Sequence, residues 1–444
     1  MNKKALIIFT RVPVPGHTKT RLMPYFNGNQ CAGLHRAMLM DVNNESKALS
    51  IDRFIFYTPE DSQGELQKIF GGEVFYEKQQ GSDLGEKMEN ALEAVLEKGY
   101  ESCVLIGTDV PEISNGELVA AFTKLNNADV VFGPTVDGGY YLVGMKSLEK
   151  SVFRNQSYGH NSVLENTLAA LEEDKLKVDF VKELSDIDTK EDIYIFRNRI
   201  TMSKALQKLS TSQFLMDNRR ISIIVPLYNE ESTIVKLQKQ LTPLKDKCEI
   251  IFVDGGSTDK TLELINPGFK VVSSPKGRGN QMNYGAGESI GDVLLFLHCD
   301  SELPENPLEE ITEVMKKYRV GCFGIRFNSQ NGLMRICGIM SNRRVKDRKI
   351  IFGDQGIFIN RKLFFDIGMF PDLPLMEDYE LSIRLKKCGE KPGLTKGRII
   401  TSDRRFPKAT IPKLQLMMKM QKLQRMYRHG VPIEKISAMY RDVR

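Results

Sequence analysis

Long apolar runs and paired cysteines are both missing from this sequence. No run of apolar residues approaches the roughly 20 that a membrane-spanning helix needs. The seven cysteines form no CxxC pair and the histidines number only five, so neither a disulfide framework nor a structural zinc site is expected. The apolar stretch after Lys4 is too short for a signal peptide and is typical of a first strand. These absences predict a cytoplasmic protein.

Acidic residues are scarce in the final quarter of the chain. Residues 341–444 hold 24 Lys and Arg against 11 Asp and Glu, a net charge of +13, whereas the rest carries 39 against 46, a net charge of −7. A basic region on an acidic body favours an anionic substrate, an anionic membrane surface or both, and a solvated basic face is the plain alternative. Because no basic module with interleaved aromatic residues is recognisable, nucleic-acid binding is not expected.

Short β-rich runs alternate with helical patterns over 444 residues, which is enough for two domains. Strands are predicted at 5–10, 53–58, 74–77, 103–108, 129–133 and 140–144, and the pattern restarts at 221–226, 249–253, 270–273 and 293–298. Apolar strands separated by helices indicate mainly parallel sheets flanked by helices in an α/β protein. The predicted domains span residues 1–217 and 218–444. Each reaches a strand that ends near an aspartate, Asp109 or Asp300, a weak internal echo of two related domains.

Polar turns follow two strands early in the second half. The strand at 221–226 runs into the turn VPLYNE at 225–230, and the strand at 249–253 runs into VDGGSTD at 253–259. An aspartate at the carboxyl end of a parallel strand lies where open α/β sheets bind ligands, and the glycines let the backbone bend sharply. A plain capped turn is the alternative for either segment alone.

Five motifs in order resemble the family 2 glycosyltransferases, and the resemblance covers residues 221–406. The motifs are VPLYNE (225–230), VDGGSTD (253–259), LHCD (297–300), GDQG (353–356) and MEDYE (376–380). Enzymes of that family have a GT-A fold, in which one α/β domain binds the nucleotide and later segments build the acceptor side. The resemblance implies transfer of a sugar from a nucleotide-diphospho-sugar to an unknown acceptor hydroxyl, with inversion.

The resemblance also implies residue roles. Nucleotide or donor contacts would come from Pro226, Asn229, Glu230, Asp254, Asp354 and Gln355. Asp378, beside Glu377, matches the general base that deprotonates the acceptor. Asp300 matches the last acid of the metal-binding Asp-x-Asp motif, which would hold Mg²⁺ or Mn²⁺ against the sugar diphosphate. His298 replaces the first acid; a histidine ligates Mn²⁺ but suits Mg²⁺ poorly, and a histidine hydrogen-bonded to backbone is the alternative.

Basic residues in the second half fit an anionic donor. Lys276 and Arg278 stand where a helix opens, and the N–H groups of a first helical turn favour phosphate. Arg404 and Arg405 resemble the arginine-containing loop that closes on the diphosphate in such enzymes, with a surface charge pair as the alternative. Residues 411–428 alternate Leu and Met with Lys and Arg at helical spacing. This segment suits either peripheral contact with an anionic membrane, at its inner face, or packing on the core or a second subunit, and packing is favoured.

A loop with three cations follows the first strand of the chain. The segment TRVPVPGHTKTRL at 10–22 contains Arg11, Lys19 and Arg21, which suit a triphosphate, although the P-loop spacing is absent. The other motifs of this half are GSDLGEKM (81–88), GTDVP (107–111), GPTVDGGYYL (133–142) and DIDTKED (186–192). Together they resemble, over residues 1–197, a GT-A-like family whose characterised relatives are nucleotidyltransferases, with prolines here where glycines are usual.

By analogy with those relatives, Lys19 and Arg21 would hold phosphates. Asp109 and Asp188 would share a Mg²⁺ ion that neutralises the departing pyrophosphate. Asp137 and Gly138 would form a turn on the substrate side. A binding module without catalysis is the alternative.

The sequence as a whole predicts two tandem GT-A-like domains of the nucleotide-diphospho-sugar transferase type. The pair resembles the transferase 1 and transferase 2 families labelled as associated with radical-SAM or selenodomain proteins and with arsenosugar biosynthesis, and these labels settle no substrate. The second domain is expected to transfer the sugar, and the first to synthesise or bind the activated donor, which would raise its local concentration. In the alternative, the first domain only binds a nucleotide or a partner.

Overall fold

The chain divides into two compact units, residues 1–218 and 219–444. The computed structural model describes residues 3–23, 25–59, 62–154, 156, 158, 162–200, 202–328, 332–401 and 410–441. The elements of the first unit are β1 (Lys4–Arg11), α1 (Gly28–Ser46), β2 (Asp52–Thr58), α2 (Gln63–Phe70), β3 (Phe75–Lys78), α3 (Leu84–Leu96), β4 (Ser102–Ile106), α4 (Asn115–Lys124), β5 (Val130–Pro134), β6 (Tyr140–Met145), α5 (Val163–Glu173), β7 (Val178–Phe180), α6 (Lys190–Ile200) and α7 (Ser210–Asp217).

The second unit contains a larger sheet and a helical tail. Its elements are β8 (Ile221–Leu227), α8 (Ile234–Leu241), β9 (Glu249–Asp254), β10 (Lys270–Ser273), α9 (Arg278–Glu288), β11 (Val293–Phe296), β12 (Ser301–Glu302), α10 (Pro307–Met315), β13 (Val320–Phe327), α11 (Gly332–Arg348), β14 (Ile357–Asn360), α12 (Arg361–Asp366), α13 (Glu377–Lys387), β15 (Gly393–Thr401), α14 (Thr410–Arg428) and α15 (Ile433–Arg441).

The two sheets share one strand order. The first sheet runs β3-β2-β1-β4-β6-β5-β7, and the second runs β10-β9-β8-β11-β14-β13-β15 with β12 added at its edge. In each, the first four strands are parallel, the next is antiparallel to both neighbours, and the following pair is parallel again. The predicted α/β class, with mainly parallel sheets flanked by helices, is therefore confirmed in both halves.

The first strand of each unit shows why these sheets are covered on both faces. In β1, Leu6 and Ile8 belong to one hydrophobic cluster, while Ala5, Ile7 and Phe9 belong to another. Successive side chains of a strand point to opposite faces, so a continuous apolar run needs a core on each side. The helices that cover the two faces supply those cores.

The helical segment after residue 190 belongs to the first unit. The Asp41 carboxylate accepts hydrogen bonds from the backbone N–H groups of Ser210 and Thr211, at 2.7 and 2.9 Å, and so satisfies the start of α7. The buried Arg197 guanidinium donates to the Leu215 carbonyl and, at 2.6 Å, to the Tyr25 hydroxyl. These bonds fasten α6 and α7 to the first sheet's helical layer.

The tail helix α14 is buried at one end and exposed at the other. Leu423 is fully buried in a cluster with Met376 and Tyr379, and the Tyr427 hydroxyl donates to Glu380 Oε2 at 2.9 Å. Ile411 is 71% exposed and Met418 is 60% exposed. Packing, the favoured interpretation of this segment, therefore describes only its second half. In the described part of the chain, none of the helices has both the length and the apolar character needed to cross a bilayer.

Candidate functional site

The loops at the carboxyl ends of β1 and β4 enclose a cavity of about 570 Å³ in the first unit. Arg11, Lys19 and Arg21, the cations of the predicted phosphate-binding loop, line it, and so do Asp109 and Asp188. Lys87, from the first turn of α3, lines the same cavity and was not among the predicted site residues. The cavity therefore combines cations for an anionic ligand with a pair of carboxylates.

Lys19 lies between the two predicted metal ligands. Its ammonium is 2.7 Å from Asp109 Oδ1 and 2.8 Å from Asp188 Oδ1, and it donates to the Ile187 carbonyl at 2.6 Å. Lys19, predicted to hold a phosphate, is thus hydrogen-bonded to protein oxygens, and its ammonium lies between the two carboxylates. Arg21, whose side chain is mostly exposed, lies 3.6 Å from Asp188 Oδ2 and keeps its predicted place beside the cavity.

His35 is buried next to Asp109 and is a site residue that the sequence motifs did not reveal. Its Nε2 atom is 3.0 Å from the Arg11 carbonyl, which can only accept, so Nε2 carries the ring proton. Burial lowers the pKa of His35 to about 4, which keeps the ring neutral near pH 7. The buried Nδ1 atom has no hydrogen-bond partner and is 4.0 Å from Asp109 Oδ1.

Acidic residues gather at the other predicted turn of the first unit. Asp137 and Gly138 form the β5–β6 turn, where Asp137 Oδ1 accepts from the Gly139 backbone N–H at 3.2 Å. Burial, together with the charges of Asp137 and Asp188, raises the pKa of Asp186 to about 6. Asp137 thus lies close enough to the Asp186–Asp188 loop to affect it electrostatically, although it is itself exposed.

In the second unit, the loops after β8 and β9 are joined by hydrogen bonds. Asn229, in the left-handed backbone conformation at φ 53°, accepts from the Thr258 N–H at 2.8 Å and donates its own N–H to Ser257 Oγ at 3.0 Å. The buried Asp254 carboxylate accepts from the Gly256 and Ser257 N–H groups. Each of these bonds closes one predicted nucleotide-binding turn or ties it to the other.

The remaining predicted residues of this edge lie around the same loops. Pro226, the second-last residue of β8, is partly exposed. The Glu230 carboxylate accepts a hydrogen bond from Thr233 Oγ1 at 2.5 Å. The Lys276 ammonium lies 3.9 Å from the ring centroid of Tyr228, an exposed cation–π contact at the mouth of the turn. The structure therefore brings together the residues that the motifs assigned to the nucleotide.

Helix α9 links that edge to the MEDYE motif. Its first residue, Arg278, is 3.3 Å from Glu377 Oε1, and one turn later Gln281 donates to the carbonyls of Leu227 and Val253 at the ends of β8 and β9. Burial and the neighbouring Asp378 charge raise the pKa of Glu377, and Arg278 partly offsets them. Glu377 thus has a charged side-chain partner in Arg278.

His298, Gly353 and Asp378 converge at one point. Asp378 Oδ2 accepts from the Gly353 backbone N–H at 2.9 Å. A Cβ atom added to Gly353 would lie 2.8 Å from His298 Nε2 and 3.6 Å from Asp378 Oδ2, so only glycine leaves room for the imidazole there. The LHCD, GDQG and MEDYE motifs, which are far apart in the sequence, thus meet in the fold.

Gln355, one of the residues predicted to contact the donor, has a protein side chain as its partner. The residue is fully buried, and its side-chain oxygen accepts from Arg344 Nη2 at 2.8 Å, so it supports Arg344 instead of facing a ligand. Arg344, on α11, was missed by the sequence motifs. Burial lowers the pKa of its guanidinium, and the carboxylates of Asp354 and Asp378 oppose that effect. Asp354 is partly exposed, and its charge acts on Arg344.

The predicted metal ligands of the second unit lie on the loop after β11. Asp300 and His298 are both partly exposed there. Within the described ranges, no group of three His, Cys, Asp or Glu side chains is arranged to hold a metal ion. Arg404 and Arg405, predicted to close on the diphosphate, lie outside the described residues.

Two family models match the chain. Residues 222–368 match the family described as Glycosyl transferase family 2, and residues 42–160 match the family described as Uncharacterized protein conserved in bacteria (DUF2064). The chain is similar to the uncharacterized glycosyltransferase sll0501 of Synechocystis sp., with 34% identity over 111 residues that cover 23% of this chain and 35% of the relative. It spans about a third to about half of the length of the curated relatives it matches.

Two solved structures are also similar. A candidate nucleotide-diphospho-sugar transferase from Desulfovibrio desulfuricans G20 is 29% identical, with a TM-score of 0.46; the match covers 49% of this chain and 96% of that one. Glucosyl-3-phosphoglycerate synthase from Mycobacterium tuberculosis, solved in complex with Mn²⁺, uridine diphosphate and phosphoglyceric acid, is 20% identical, with a TM-score of 0.35. That match covers 48% of this chain and 80% of the synthase.

Proposed function

We propose that the second unit transfers a sugar from a nucleotide-diphospho-sugar to an acceptor hydroxyl, since residues 222–368 match the Glycosyl transferase family 2 model and residues 42–160 match the DUF2064 model. The observation that supports this most directly is the meeting of His298, Gly353 and Asp378 beside the ends of the parallel strands. Ligands of open α/β sheets bind at that edge. The site has both a carboxylate for proton transfer and cations for a diphosphate.

The donor would lie across the loops after β8 and β9. Asn229 and Asp254 would give the nucleoside a preformed surface, because their hydrogen bonds fix the backbone of both turns. Lys276 and Arg278 stand where α9 begins, and the N–H groups of that first turn add partial positive charge for the diphosphate. Lys276 can reach the phosphates when it leaves the Tyr228 ring, since the contact is exposed.

Asp378 is the proposed general base. In a single displacement the acceptor oxygen attacks the anomeric carbon, its proton passes to the Asp378 carboxylate, and the bond from that carbon to the diphosphate oxygen breaks. The nucleoside diphosphate leaves with the bonding electron pair, and the anomeric configuration inverts. The Gly353 N–H holds Asp378 Oδ2, so the carboxylate is fixed in orientation before the acceptor arrives.

A divalent cation in the second unit would be bound partly by protein side chains and partly by the substrate. Asp300 and His298 offer only two ligands, and Mg²⁺ or Mn²⁺ is commonly bound by one or two side chains together with substrate phosphates. The room that Gly353 leaves for the His298 ring is consistent with a ring held for a ligand. The ion would neutralise charge on the leaving diphosphate, and a histidine ligand favours Mn²⁺ over Mg²⁺.

For the first unit we infer a nucleotide-binding role. Arg11, Arg21 and Lys87 line a cavity large enough for a nucleotide-sized ligand. The nucleotidyltransferase alternative requires Asp109 and Asp188 to share a metal ion, and Lys19 lies between them instead. Release of pyrophosphate from a nucleoside triphosphate and a sugar phosphate by the isolated first unit would favour that alternative.

We also infer that the exposed end of α14 contacts an anionic membrane surface. The helix carries no Asp or Glu and five Lys and Arg, one at position 413 in the exposed end and four between 419 and 428, so the charge of the whole helix is complementary to anionic lipid. Ile411, Leu414 and Met418 are exposed on it, and Ile336, Ile339 and Met340 are exposed on α11. Cys337 Sγ lies 3.3 Å from Met417 Sδ, which places the two helices side by side. Apolar side chains among cations suit the headgroup boundary.

A donor screen tests the transferase proposal. The full chain is incubated with UDP-, GDP-, CDP- and dTDP-sugars with Mn²⁺ or Mg²⁺, and thermal stabilisation and slow release of the nucleoside diphosphate by hydrolysis are measured. One donor class should raise the melting temperature of the wild type and less so that of Lys276→Ala. Lys236→Ala, which removes an exposed ion pair with Glu302, is the matched control. No stabilisation or turnover with any donor would contradict the proposal.

A further inference from the structure

Every donor of the Lys19 ammonium is used within the first unit. Its three acceptors are the Ile187 carbonyl at 2.6 Å, Asp109 Oδ1 at 2.7 Å and Asp188 Oδ1 at 2.8 Å. An ammonium has three N–H donors and no acceptor, so this set satisfies it fully. The side chain is only 5% exposed. Lys19 is therefore a fixed charge and not a side chain that samples solvent.

The backbone around Lys19 is built to hold it there. Lys19 has φ 53°, a left-handed conformation that costs a non-glycine residue energy and persists only where the surroundings enforce it. The neighbouring Thr18 hydroxyl donates to the Val12 carbonyl at 2.8 Å and closes the loop. On the other side, Asp192 Oδ2 accepts from the Asp188 N–H at 3.0 Å and fixes the loop that carries the second carboxylate.

The charges around Asp109 show that Lys19 is its counter-ion. The Lys19 ammonium is 2.7 Å from Asp109 Oδ1 and its side chain is only 5% exposed, so its charge lies close to the carboxylate and is poorly screened by water. His35 Nδ1, which has no hydrogen-bond partner, is farther away, at 4.0 Å from Asp109 Oδ1. Lys19 is therefore the nearer of these two groups to Asp109.

We propose that Lys19 is a resident cation of the first-unit cavity, standing where a divalent ion would otherwise bridge Asp109 and Asp188, and that this cavity binds a phosphate-bearing anion without a divalent metal. A Mg²⁺ ion needs near-octahedral oxygen ligands at about 2.0–2.1 Å. The two facing carboxylate oxygens are engaged by the ammonium, and a second cation beside it would be repelled. Asp109 and Asp188 therefore do not act as the predicted pair of metal ligands, because Lys19 is bound between them.

The anion would be held by the other cations of the cavity. Arg11, Arg21 and Lys87 line it, and their three positive charges exceed the two negative charges left by Asp83 and by the cluster of Lys19, Asp109 and Asp188. Arginine forms bidentate hydrogen bonds with phosphate oxygens, which suits this ligand class. The inference concerns the first unit alone and does not rest on sugar transfer by the second.

Counting bound Mn²⁺ tests the first part of the proposal. Free Mn²⁺ is titrated by electron paramagnetic resonance against full-length wild type, Asp109→Asn, Lys19→Met and the double variant, each checked for folding by its melting curve. Asp109→Asn should leave the number of Mn²⁺ sites unchanged. Lys19→Met should gain one site, because its carboxylates lose their cation, and the double variant should lose that gain.

Two results would overturn this assignment. Loss of a Mn²⁺ site in Asp109→Asn would show that the wild type already binds metal there. A folded Lys19→Met variant with no added site would show that the carboxylates are not a latent metal pair. Because Asp109→Asn is nearly isosteric, it decides the question even where Lys19→Met does not fold.

Pyrophosphate binding tests the second part. Calorimetric titration of the full chain with inorganic pyrophosphate should give affinities in EDTA and in excess MgCl₂ that differ by less than about threefold, under 1 kcal/mol. Arg21→Ala and Lys87→Ala should each weaken binding in EDTA by about tenfold. Lys68→Ala, which removes an exposed partner of Glu65, is the matched control. Binding that vanishes in EDTA, or absent binding in both buffers, would overturn the proposal.

Discussion

The backbone N–H of Gly353 donates a 2.9 Å hydrogen bond to Asp378 Oδ2, joining the loop before β14 to the first turn of α13. Asp378 Oδ1 accepts from the Tyr379 N–H at 2.7 Å, so both carboxylate oxygens have a backbone donor. These two hydrogen bonds fix the orientation of the carboxylate. A group prepared in this way can take a proton from a hydroxyl placed beside it, which is the role proposed for Asp378.

Replacing Asp378 with Asn should remove sugar transfer while donor binding stays within about threefold of wild type. The amide keeps the shape of the side chain but cannot accept a proton, and a general base contributes roughly 10²–10⁴-fold to the rate. Transfer is measured as product formation, and donor affinity by calorimetry. Glu380→Gln, on the same helix, is the matched control. Loss of donor affinity in Asp378→Asn would contradict its assignment as the base.

Replacing Gly353 with Ala should lower both stability and transfer. The new methyl group would lie 2.8 Å from His298 Nε2, so the imidazole must move. Overpacking of this kind typically costs about 1–3 kcal/mol. Gly287→Ala, in α9, is a matched control, because a Cβ there meets no atom within 4 Å and alanine favours a helix. Equal melting temperatures for wild type and Gly353→Ala would show that the His298 ring is not confined as described.

Replacing Arg278 with Met should destabilise the protein more at pH 7 than at pH 4. Burial and Asp378 raise the pKa of Glu377, and removal of Arg278 raises it further. A carboxyl with a raised folded-state pKa contributes stability that is full below its unfolded value, about 4, and is lost as pH rises through the folded value. The melting-temperature gap between wild type and variant should widen with pH.

The control for that pH series is Lys362→Met. It breaks an ion pair with Asp366 that is exposed on both sides, so its effect should be small and nearly independent of pH. A gap for Arg278→Met that narrows as pH rises would contradict the assigned direction of the Glu377 pKa shift.

Replacing Leu414 and Met418 with Gln should reduce co-sedimentation of the full chain with phosphatidylglycerol vesicles. These side chains are exposed on a helix without acidic residues, so both apolar and electrostatic attraction are available. Binding of the wild type should weaken as salt increases, and should be slight on phosphatidylcholine. Val119→Gln, an equally exposed apolar position in the first unit, should change nothing. Vesicle binding by the wild type that does not depend on salt would contradict membrane contact. So would a wild-type dimer that the double variant dissociates.

The strands were the most predictable part of the fold. β1, β2 and β6 begin and end within one or two residues of their predicted bounds, because a buried apolar run flanked by polar residues is visible in the sequence. Helix α8 begins at Ile234 and not directly after the VPLYNE turn at 225–230. The residues between them contact the neighbouring loop, where the Glu231 N–H donates to Asp259 Oδ2 at 3.2 Å. That contact joins segments that no local pattern connects.

The site residues were likewise predictable only where a local sequence pattern marks them. Asp109 and Asp378 follow strand or turn signals and belong to quoted motifs. The engagement of Lys19 by a carboxylate 169 positions away depends on how the loops fold back, and so does the burial of Gln355 against Arg344. His35 and Arg344 lie within helices, where nothing distinguishes them from other polar residues until packing places them beside carboxylates.

Because the two sheets share one strand order, equivalent positions of the two units can be compared directly. β4 and β11 are each the fourth strand of their unit, each parallel to the first, and each leads within four residues to an aspartate, Asp109 in one and Asp300 in the other. The strand arrangement is thus the same in both units, but the residues near the aspartate differ: a lysine lies beside Asp109, and a histidine lies near Asp300. A difference in metal requirement between the halves would be attributable to those side chains and not to the architecture, because one chain presents both versions of the same sheet edge.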